Sequence, residues 1–363
     1  MTPIRIAVIG VGHLGKIHTR LLAGDEQFEL VGVVDPSTEA RQEMAREHGV
    51  AVFSDFRQLD GKAEAAIVAT PTILHHEVAS HLLTHGVHLL VEKPITNTVT
   101  QANALIQLAS DHGRILQVGH VERFNPAYRV ARQQIQQPRY IESARLAPYT
   151  FRSTDVGVVL DLMIHDIDLA LATVGSQVVD VLAMGAAVIG PHEDIAQARL
   201  TFANGCVANL SASRVNPEAC RTMQIFAASG HTSLDLATGS ARHVAISNAV
   251  RQQAIDPANT SLEKQQELRE NFFKDLLPTI ELPVPEGNAI RDEHADLAIA
   301  IRTGKEVQVP GTAGRDALAV AHRVVQALSN HRWNGRQPGP RGPHFWSQQS
   351  DQQVIERPNR QAG

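Results

Sequence analysis

Two polar segments in otherwise apolar surroundings carry the side chains best suited to proton transfer. The first, Glu92-Lys93-Pro94, ends a predicted strand, where a lysine can hydrogen-bond a substrate hydroxyl or take its proton. The second comprises Asp161, His165 and Asp168, which at positions i, i+4 and i+7 form one polar stripe on a predicted helix. Because unpaired polar groups are costly to bury, we expect Asp161 to hold His165 in one tautomer and to raise its basicity, as a general base requires.

Each of these segments also has a structural interpretation. Lys93 can be a surface lysine at a strand end, and His165 a hydrogen-bonded core histidine. A metal site is a third possibility, but Asp161 and His165 have no third His or Cys nearby in sequence, so we predict no metal. The chain has 18 histidines, and several others have no zinc-site spacing and are interpreted as surface or capping residues: His48, His81, His85, His112, His192 and His231.

A glycine-rich loop lies near the N-terminus. Residues 10–15 read Gly-Val-Gly-His-Leu-Gly between a predicted strand and helix, and Asp35 ends the following strand. This combination is typical of dinucleotide binding, although a purely structural glycine turn is the alternative. Gly10 permits a tight turn, Gly12 lets a pyrophosphate approach the backbone, and Gly15 allows close helix–strand packing. The helix N-terminus then attracts phosphate.

The residue at the end of the second strand decides between the two nicotinamide cofactors. The Asp35 carboxylate can accept hydrogen bonds from the adenosine ribose hydroxyls, and it repels a 2′-phosphate. Pro36 follows, and no arginine stands beside it in the sequence. We therefore predict NAD rather than NADP.

An α/β architecture is needed to position these groups. Residues 1–120 alternate apolar strands with helices, which predicts a Rossmann domain with a doubly wound parallel sheet covered on both faces. The carboxyl ends of such strands face the ligand crevice, so Glu92 and Lys93 are expected beside the nicotinamide.

The pattern changes after residue 120. Strand-like runs separated by short turns predict an α+β domain over residues 121–330, with a large, mostly antiparallel open sheet. One helix, predicted for residues 158–173, interrupts the strands, and two more are predicted at 289–303 and 314–329.

Residues 331–363 form a C-terminal tail. Their Gln, Pro, Gly and Arg content is typical of disorder. Both tryptophans of the chain, Trp333 and Trp346, nevertheless lie there. Because indoles favour burial, we predict that the tail packs on the body or on a second subunit.

Composition excludes several classes of protein. A chain of 363 residues with 43% hydrophobic content is long enough for about two folded domains. A net charge of -5 without basic blocks disfavours nucleic acid and anionic membranes as partners. No apolar run approaches the ~18 residues of a membrane span, and no signal peptide is evident. The two cysteines, Cys206 and Cys220, suggest a reducing cytoplasm.

Taken together, these motifs resemble those of the Gfo/Idh/MocA oxidoreductase family. The resemblance covers nearly the whole chain and implies NAD(P)-linked oxidation of a secondary hydroxyl on a sugar or polyol. It also implies a catalytic set in which Lys93 and His165 flank the reacting hydroxyl, one of them as base, and Asp161 orients both. A cis Lys93–Pro94 peptide bond and a homo-oligomer formed through the second-domain sheet are further implications. The residues that carry it are Gly10, Gly12, Gly15 and His18, Ala69-Thr70-Pro71, His75, Gly86-Val87-His88, Glu92-Lys93-Pro94, Asp161 and His165. The cofactor contacts expected in addition to the glycines and Asp35 are His13, Leu14, Thr70, Pro71, His75, Glu92 and Lys93.

Residues 118–126 resemble those of the subfamily that oxidises the 3-hydroxyl of UDP-N-acetylglucosamine for lipid A synthesis. A UDP-sugar needs cations for its diphosphate. The candidates for that role are Arg123, Arg145, Arg152, Arg214 and Arg221. The predicted substrate contacts are His120, Arg123, Asn125, Arg152 and Arg214. Two alternatives stay open: a dehydrogenase of a free polyol such as inositol, which would not need the arginines, and a non-catalytic NAD-binding sensor. The presence of all three catalytic residues counts against the sensor.

Overall fold

The computed structural model describes residues 2–151, 153–333 and 337–338. Its first domain is a six-stranded parallel sheet of order β3-β2-β1-β4-β5-β6. The elements are β1 Ile4–Ile9, α1 His13–Leu22, β2 Phe28–Val34, α2 Thr38–His48, β3 Val52–Phe53, β4 Ala65–Val68, α3 Thr72–Thr84, β5 His88–Glu92, α4 Val99–Asp111 and β6 Leu116–Gly119. The prediction of a doubly wound parallel sheet is confirmed.

Local sequence explains how this domain is built. Strand β4 is buried along its whole length, as expected for a strand covered on both faces. Helix α2 begins where the Ser37 hydroxyl accepts a hydrogen bond from the amide of Ala40, and it ends at Gly49 in a left-handed conformation. The strand order reverses between β1 and β4, which places the ligand crevice beyond the carboxyl ends of these two strands.

The second domain contains an eight-stranded sheet of order β14-β13-β12-β11-β7-β10-β9-β8. Among its neighbouring pairs only β7 and β10 are parallel, so the predicted mostly antiparallel sheet is confirmed. The elements are α5 Pro126–Arg132, β7 Pro138–Leu146, α6 Ile164–Val174, β8 Val178–Ala186, β9 Ile195–Phe202, β10 Val207–Ser213, β11 Cys220–Ala227, β12 Gly230–Asp235, β13 Ser240–Ala245, α7 Asn248–Arg251, α8 Leu262–Glu270, β14 Thr279–Glu281, α9 Ala289–Thr303 and α10 Gly311–Asn330.

The chain returns to the first domain through its last two helices. Leu297 and Ala298 of α9 pack with the β1 residues Ile6 and Val8, and α10 packs on both α4 and α6. The expected division at residue 120 is therefore corrected for α9, which covers the first sheet although it follows the second domain in sequence. Helix α9 itself occupies the predicted residues.

Several elements differ from the predictions. The sequence after the glycine loop predicts a helix over residues 16–23, but α1 begins at His13, and neither β13 nor α5 is predicted from the sequence. The predicted helix 158–173 is divided into a π-helical turn, Val159–Met163, and α6.

At the C-terminus, Arg332–Trp333 pairs with Gln337–Pro338 as a short antiparallel ladder. Trp346 lies outside the described residues. Packing of the tail on the body or on a second subunit therefore stays a prediction.

Within the described part of the chain, none of the helices has both the length and the apolar character of a membrane span.

Candidate active site

The glycine loop has the shape that a pyrophosphate needs. Gly10 has a φ of +86°, and a Cβ there would lie 2.7 Å from the carbonyl oxygen of Ala69. A Cβ at Gly15 would lie 1.8 Å from the carbonyl oxygen of Gly10, so α1 and β1 pack too closely for any larger residue. By contrast, a Cβ at Gly12 would have no heavy atom within 4 Å, and Gly12 supplies no side-chain cap to α1. The loop therefore presents open space and a helix N-terminus, which fits a dinucleotide phosphate.

The other predicted contacts of this loop lie around that opening. His13 and Leu14 form the first turn of α1, and Pro71 precedes α3. The hydroxyl oxygen of Thr70, directly after β4, is buried without a hydrogen-bond partner. Because a buried hydroxyl without a partner is costly, the Thr70 hydroxyl is suited to accept a hydrogen bond from a ligand or to donate one to it.

Asp35 is held in place by the backbone. Its two carboxylate oxygens accept hydrogen bonds of 2.9 Å each from the amides of Val11 and Ser37. The sequence suggested no arginine beside Asp35, and this is wrong, because Arg41 of α2 folds back and donates to the carbonyl oxygens of Asp35 and Pro36 at 2.6 and 2.9 Å. The Asp35 carboxylate still lies at the end of β2, where it favours ribose hydroxyls over a 2′-phosphate.

His75 supports the crevice from behind. It is 1% exposed, and its two ring nitrogens lie 2.8 Å from the carbonyl oxygen of Thr70 and 2.9 Å from that of Pro94. Burial lowers the pKa of His75, although the two carbonyls oppose that effect. The histidine thus links the ends of β4 and β5, and its direct contact with the cofactor stays a prediction.

Lys93 connects the two domains. Its Nζ donates a hydrogen bond of 2.6 Å to the backbone oxygen of Asp161 and lies 3.6 Å from the carboxylate oxygen Oδ1 of the same residue. The Lys93–Pro94 bond is cis, as the family resemblance implied. Asp161 belongs to the π-helical turn, whose wider winding departs from the 3.6-residue period. The Asp161–Lys93 contact agrees with what the family resemblance implied, whereas the expected Asp161–His165 pairing is corrected.

Two histidines with unpartnered nitrogens lie close together in the same region. Nδ1 of His165 and both ring nitrogens of His120 are buried without a hydrogen-bond partner, and the two rings meet edge to face at 6.4 Å. Burial, and then the positive charges of Lys93 and Arg145, place the pKa of His165 well below its ordinary value. Burial also lowers the pKa of His120. The expectation of a more basic His165 is thus wrong, because burial and the nearby positive charges both disfavour the protonated ring.

A buried network behind Lys93 was not predicted. Nε2 of His18 lies 2.9 Å from Oε1 of Glu92, and Nδ1 of His18 lies 2.8 Å from Nε2 of His294. The other carboxylate oxygen of Glu92 accepts a hydrogen bond from the Lys93 amide at 3.2 Å. Burial alone would raise the pKa of Glu92, but His18 and Lys93 lower it below its ordinary value. Glu92 therefore supports Lys93, and its contact with the cofactor stays a prediction.

The one sequence signal for this network was His18, three residues after the glycine loop. Its second partner, His294, lies 276 residues away. Next to it, Glu293 is fully buried with both carboxylate oxygens unpartnered. Burial, together with the charge of Glu92, raises the pKa of Glu293 well above its ordinary value.

Two arginines predicted to bind a diphosphate are paired with carboxylates of their own domain. Arg123 donates hydrogen bonds of 2.7 and 2.8 Å to the buried Asp168. Arg214 donates one of 2.6 Å to the buried Asp194, and its Nη1 holds two backbone oxygens of the loop before the π-helical turn. Both arginines are thus neutralised within the protein, and their contact with a substrate stays a prediction.

Asn125 is also engaged within the protein. Its Nδ2 donates to Glu122 at 3.0 Å and to the carbonyl oxygen of Leu236 at 3.1 Å, while its Oδ1 accepts from the Ala127 amide. The side chain thus caps α5 instead of reaching the crevice, which corrects its predicted role. Arg152, the last of the predicted contacts, lies outside the described residues.

The two remaining candidate arginines, Arg145 and Arg221, differ in exposure. Arg145 is only 3% exposed and is neutralised by Glu122 and Asp166 at 2.7 and 2.9 Å. Arg221, its cross-strand neighbour on β11, is exposed and close enough for its charge to lower the pKa of His165. Arg221 is therefore the arginine that best fits a negatively charged substrate.

Comparisons with known proteins agree with this geometry. Residues 4–120 match the model of an oxidoreductase family with an NAD-binding Rossmann fold, and residues 117–232 match the GFO/IDH/MocA C-terminal domain. The first match covers the glycine loop, Asp35 and Lys93, and the second covers the π-helical turn and His165.

Individual relatives are enzymes of sugars and polyols. The UDP-N-acetylglucosamine 3-dehydrogenase of Acidithiobacillus ferrooxidans is 36% identical over 90% of this chain and 98% of its own length. A solved structure of that enzyme has a TM-score of 0.78 at 35% identity, covering 90% of this chain and 98% of the other. The scyllo-inositol 2-dehydrogenase (NAD(+)) of Bacillus subtilis is 30% identical over 59% of this chain and 68% of its own length.

Proposed function

Since the chain belongs to the Gfo/Idh/MocA family of oxidoreductases, we propose that it oxidises the 3-hydroxyl of UDP-N-acetylglucosamine to a ketone with NAD as the oxidant. The observation that carries this proposal is the position of Lys93, whose Nζ is held by Asp161 beside the two unpartnered histidines. The identity to a UDP-N-acetylglucosamine 3-dehydrogenase over nearly its full length supports the substrate.

Bound NAD supplies the acceptor for the hydride that leaves the carbinol carbon. The glycine loop, Asp35 and Thr70 would hold it. Lys93 has donors beyond its bond to Asp161 and orients the substrate hydroxyl. His165 is neutral before the reaction because burial and nearby cations lower its pKa, so it can accept the hydroxyl proton. A substrate diphosphate near Arg221 adds negative charge close to His165. This charge favours the protonated imidazole of His165 that the proton transfer produces.

A second candidate is the oxidation of a free polyol. It is favoured by the ion pairs of Arg123 and Arg214, which leave fewer cations for a diphosphate, and by the likeness to an inositol dehydrogenase. The absorbance of NADH, recorded with NAD and a panel of UDP-sugars and polyols, separates the two. Turnover of UDP-N-acetylglucosamine supports the first candidate, whereas turnover of a polyol without any UDP-sugar overturns it.

Arg221 offers a second way to separate the candidates. Replacing it with Ala removes the exposed cation without touching Lys93 or His165. We expect the KM for UDP-N-acetylglucosamine to rise about 10-fold or more, since an ionic hydrogen bond is lost. An unchanged KM would remove Arg221 from the substrate site.

We further propose a homo-oligomer formed through the outer face of the second sheet. Apolar side chains are exposed on that face, with Val179 57% and Leu182 61% exposed on β8 and Phe226 40% exposed on β11. The mass of the untagged protein by light scattering tests this proposal. A monomeric mass at micromolar concentration would contradict it.

The cellular setting follows from the same substrate. We propose that the protein acts in the cytoplasm, on the pathway to lipid A, where an amino-transfer reaction would consume the 3-keto sugar. Cys206 and Cys220 are unpaired thiols, which suits a reducing compartment.

A further inference from the structure

A group of three metal-ligating side chains lies on the first domain, away from the crevice. Asp60 follows a short 3₁₀ turn, Phe56–Leu59, while His81 lies in the last turn of α3 and His85 is the C-cap residue of that helix. Nε2 of His81 is 2.9 Å from Oδ1 of Asp60, and Nε2 of His85 is 3.8 Å from Oδ2 of the same carboxylate. The three donor atoms all lie within 4.8 Å of one another.

The orientation of His85 prepares one nitrogen for a metal. Its Nδ1 lies 2.7 Å from the carbonyl oxygen of His81. A carbonyl only accepts, so Nδ1 carries a proton, and in the neutral tautomer the Nε2 lone pair is the one available to a metal on the side of Asp60. Metal-ligating histidines in proteins commonly have their second nitrogen fixed by a carbonyl in this way.

His81 is held as firmly as His85. Its ring stacks on that of His85 at 4.0 Å and meets the ring of Phe56 edge to face at 5.3 Å. The side chains of Asp60 and His85 are 39% and 46% exposed, so small rotations can bring the donors onto one ion.

The charges around the group also suit a cation. Arg57, the nearest arginine in sequence, is paired with Asp55 at 3.1 Å and with Glu77 at 2.9 Å. Its positive charge is thereby compensated by two carboxylates other than Asp60.

We propose that Asp60, His81 and His85 bind a divalent transition-metal ion of the zinc class, with water completing the coordination. Two imidazoles and one carboxylate suit Zn²⁺, Co²⁺ or Ni²⁺, whereas Mg²⁺ and Ca²⁺ prefer oxygen ligands only. The ion would join α3 to the turn that precedes β4. It would thus stabilise the first domain without entering the reaction.

Sequence spacing alone did not reveal this group, because a search for His and Cys pairs ignores an aspartate 21 residues before the first histidine. The interpretation of His81 and His85 as surface or capping residues, and the prediction of no metal, are the expectations that this proposal replaces.

The test is a calorimetric titration of the untagged, EDTA-treated full chain with ZnCl₂, followed by the absorbance of the Co²⁺ form. We expect one Zn²⁺ per chain, and a Co²⁺ spectrum typical of mixed nitrogen and oxygen ligands. His85→Gln and Asp60→Asn should each weaken Zn²⁺ binding by about 10-fold or more. The matched control His112→Gln, at an exposed histidine on α4's C-terminal end, should bind as the wild type does.

Thermal unfolding provides an independent readout. Zn²⁺ should raise the Tm of the wild type and of His112→Gln, but not that of His85→Gln, while MgCl₂ raises none of them. Far-UV circular dichroism checks that each variant folds. Absence of one-equivalent Zn²⁺ binding, or wild-type affinity in a His81→Gln/His85→Gln double variant, would overturn the proposal. Full affinity in Asp60→Asn would overturn the three-ligand site.

Discussion

Nζ of Lys93 donates a hydrogen bond of 2.6 Å to the backbone oxygen of Asp161, 68 residues further along the chain and in the other domain. This bond closes the crevice between the end of β5 and the π-helical turn. The backbone amide of Lys93 is held in turn by the Glu92 carboxylate. Together, these two hydrogen bonds fix where the lysine side chain can meet a substrate hydroxyl. The reactive geometry thus depends on contacts between residues that are distant in sequence.

His165 can be tested separately from the cofactor site. We expect His165→Asn to lower kcat by about 10²–10⁴-fold, the usual contribution of a general base. The Kd for NAD should stay unchanged, since the glycine loop is untouched. Steady-state kinetics and NAD titration of the same preparation measure both quantities. A kcat within a factor of two of the wild type would exclude His165 as the base.

Two glycines of the loop make a matched pair. Gly12→Ala should fold normally, because a Cβ at that position meets no atom within 4 Å, yet it should weaken NAD binding by about 10-fold or more. Gly15→Ala should instead lower the free energy of unfolding, because its Cβ would lie 1.8 Å from the oxygen of Gly10. Urea unfolding and NAD titration distinguish the two effects. Unchanged NAD affinity in Gly12→Ala would contradict the assigned phosphate site.

His18 links Glu92 to His294 in the buried network. His18→Ala leaves a buried carboxylate without that partner, and we expect a loss of about 1–3 kcal/mol in the free energy of unfolding. The exposed residue His112 supplies the control, and His112→Ala should change stability little. Equal stabilities for the two variants would mean that the network contributes nothing to folding.

Glu293 predicts a specific pH dependence of stability. Its pKa is raised well above the ordinary value, so above about pH 4.3 the unfolded chain releases a proton that the folded chain keeps. The contribution of Glu293 to the free energy of unfolding therefore falls as the pH rises towards the pKa of this group in the folded state. Glu293→Gln removes that effect, so the variant should gain stability relative to wild type as the pH rises above about 4.3 towards the folded pKa, by up to ~1.4 kcal/mol per pH unit.

Urea unfolding at several pH values measures the difference between these two proteins. Glu286→Gln, at an exposed position, should run parallel to the wild type. A constant difference between Glu293→Gln and the wild type across this range would contradict a protonated Glu293.

Local sequence was sufficient for those parts of the molecule whose geometry depends on neighbouring residues. The turn at Gly10, the close packing at Gly15 and the cap at Ser37 each follow from backbone sterics or one short hydrogen bond. Helix α9 occupies its predicted residues because its apolar spacing and capping are local as well. The cis bond at Lys93–Pro94 came from the family resemblance instead.

The errors arise where partners are distant in sequence. A helical period places Asp161 over His165, but the π-helical turn changes that register and Lys93 takes the carboxylate instead. An arginine on a strand looks like a solvent-exposed cation until the fold brings a buried carboxylate such as Asp194 against Arg214. No local pattern could have indicated these pairs, because tertiary packing creates them.

The most direct measurement of the central claim is NADH formation from NAD and UDP-N-acetylglucosamine by the wild type and by Lys93→Met. The wild type should produce one NADH for each 3-keto sugar identified by mass spectrometry. Lys93→Met, which keeps the length of the side chain but has no donor, should bind NAD normally and lose kcat by about 10²-fold or more. Equal NADH formation by both proteins would contradict the role of Lys93, and no turnover of any UDP-sugar by the wild type would contradict the proposed function.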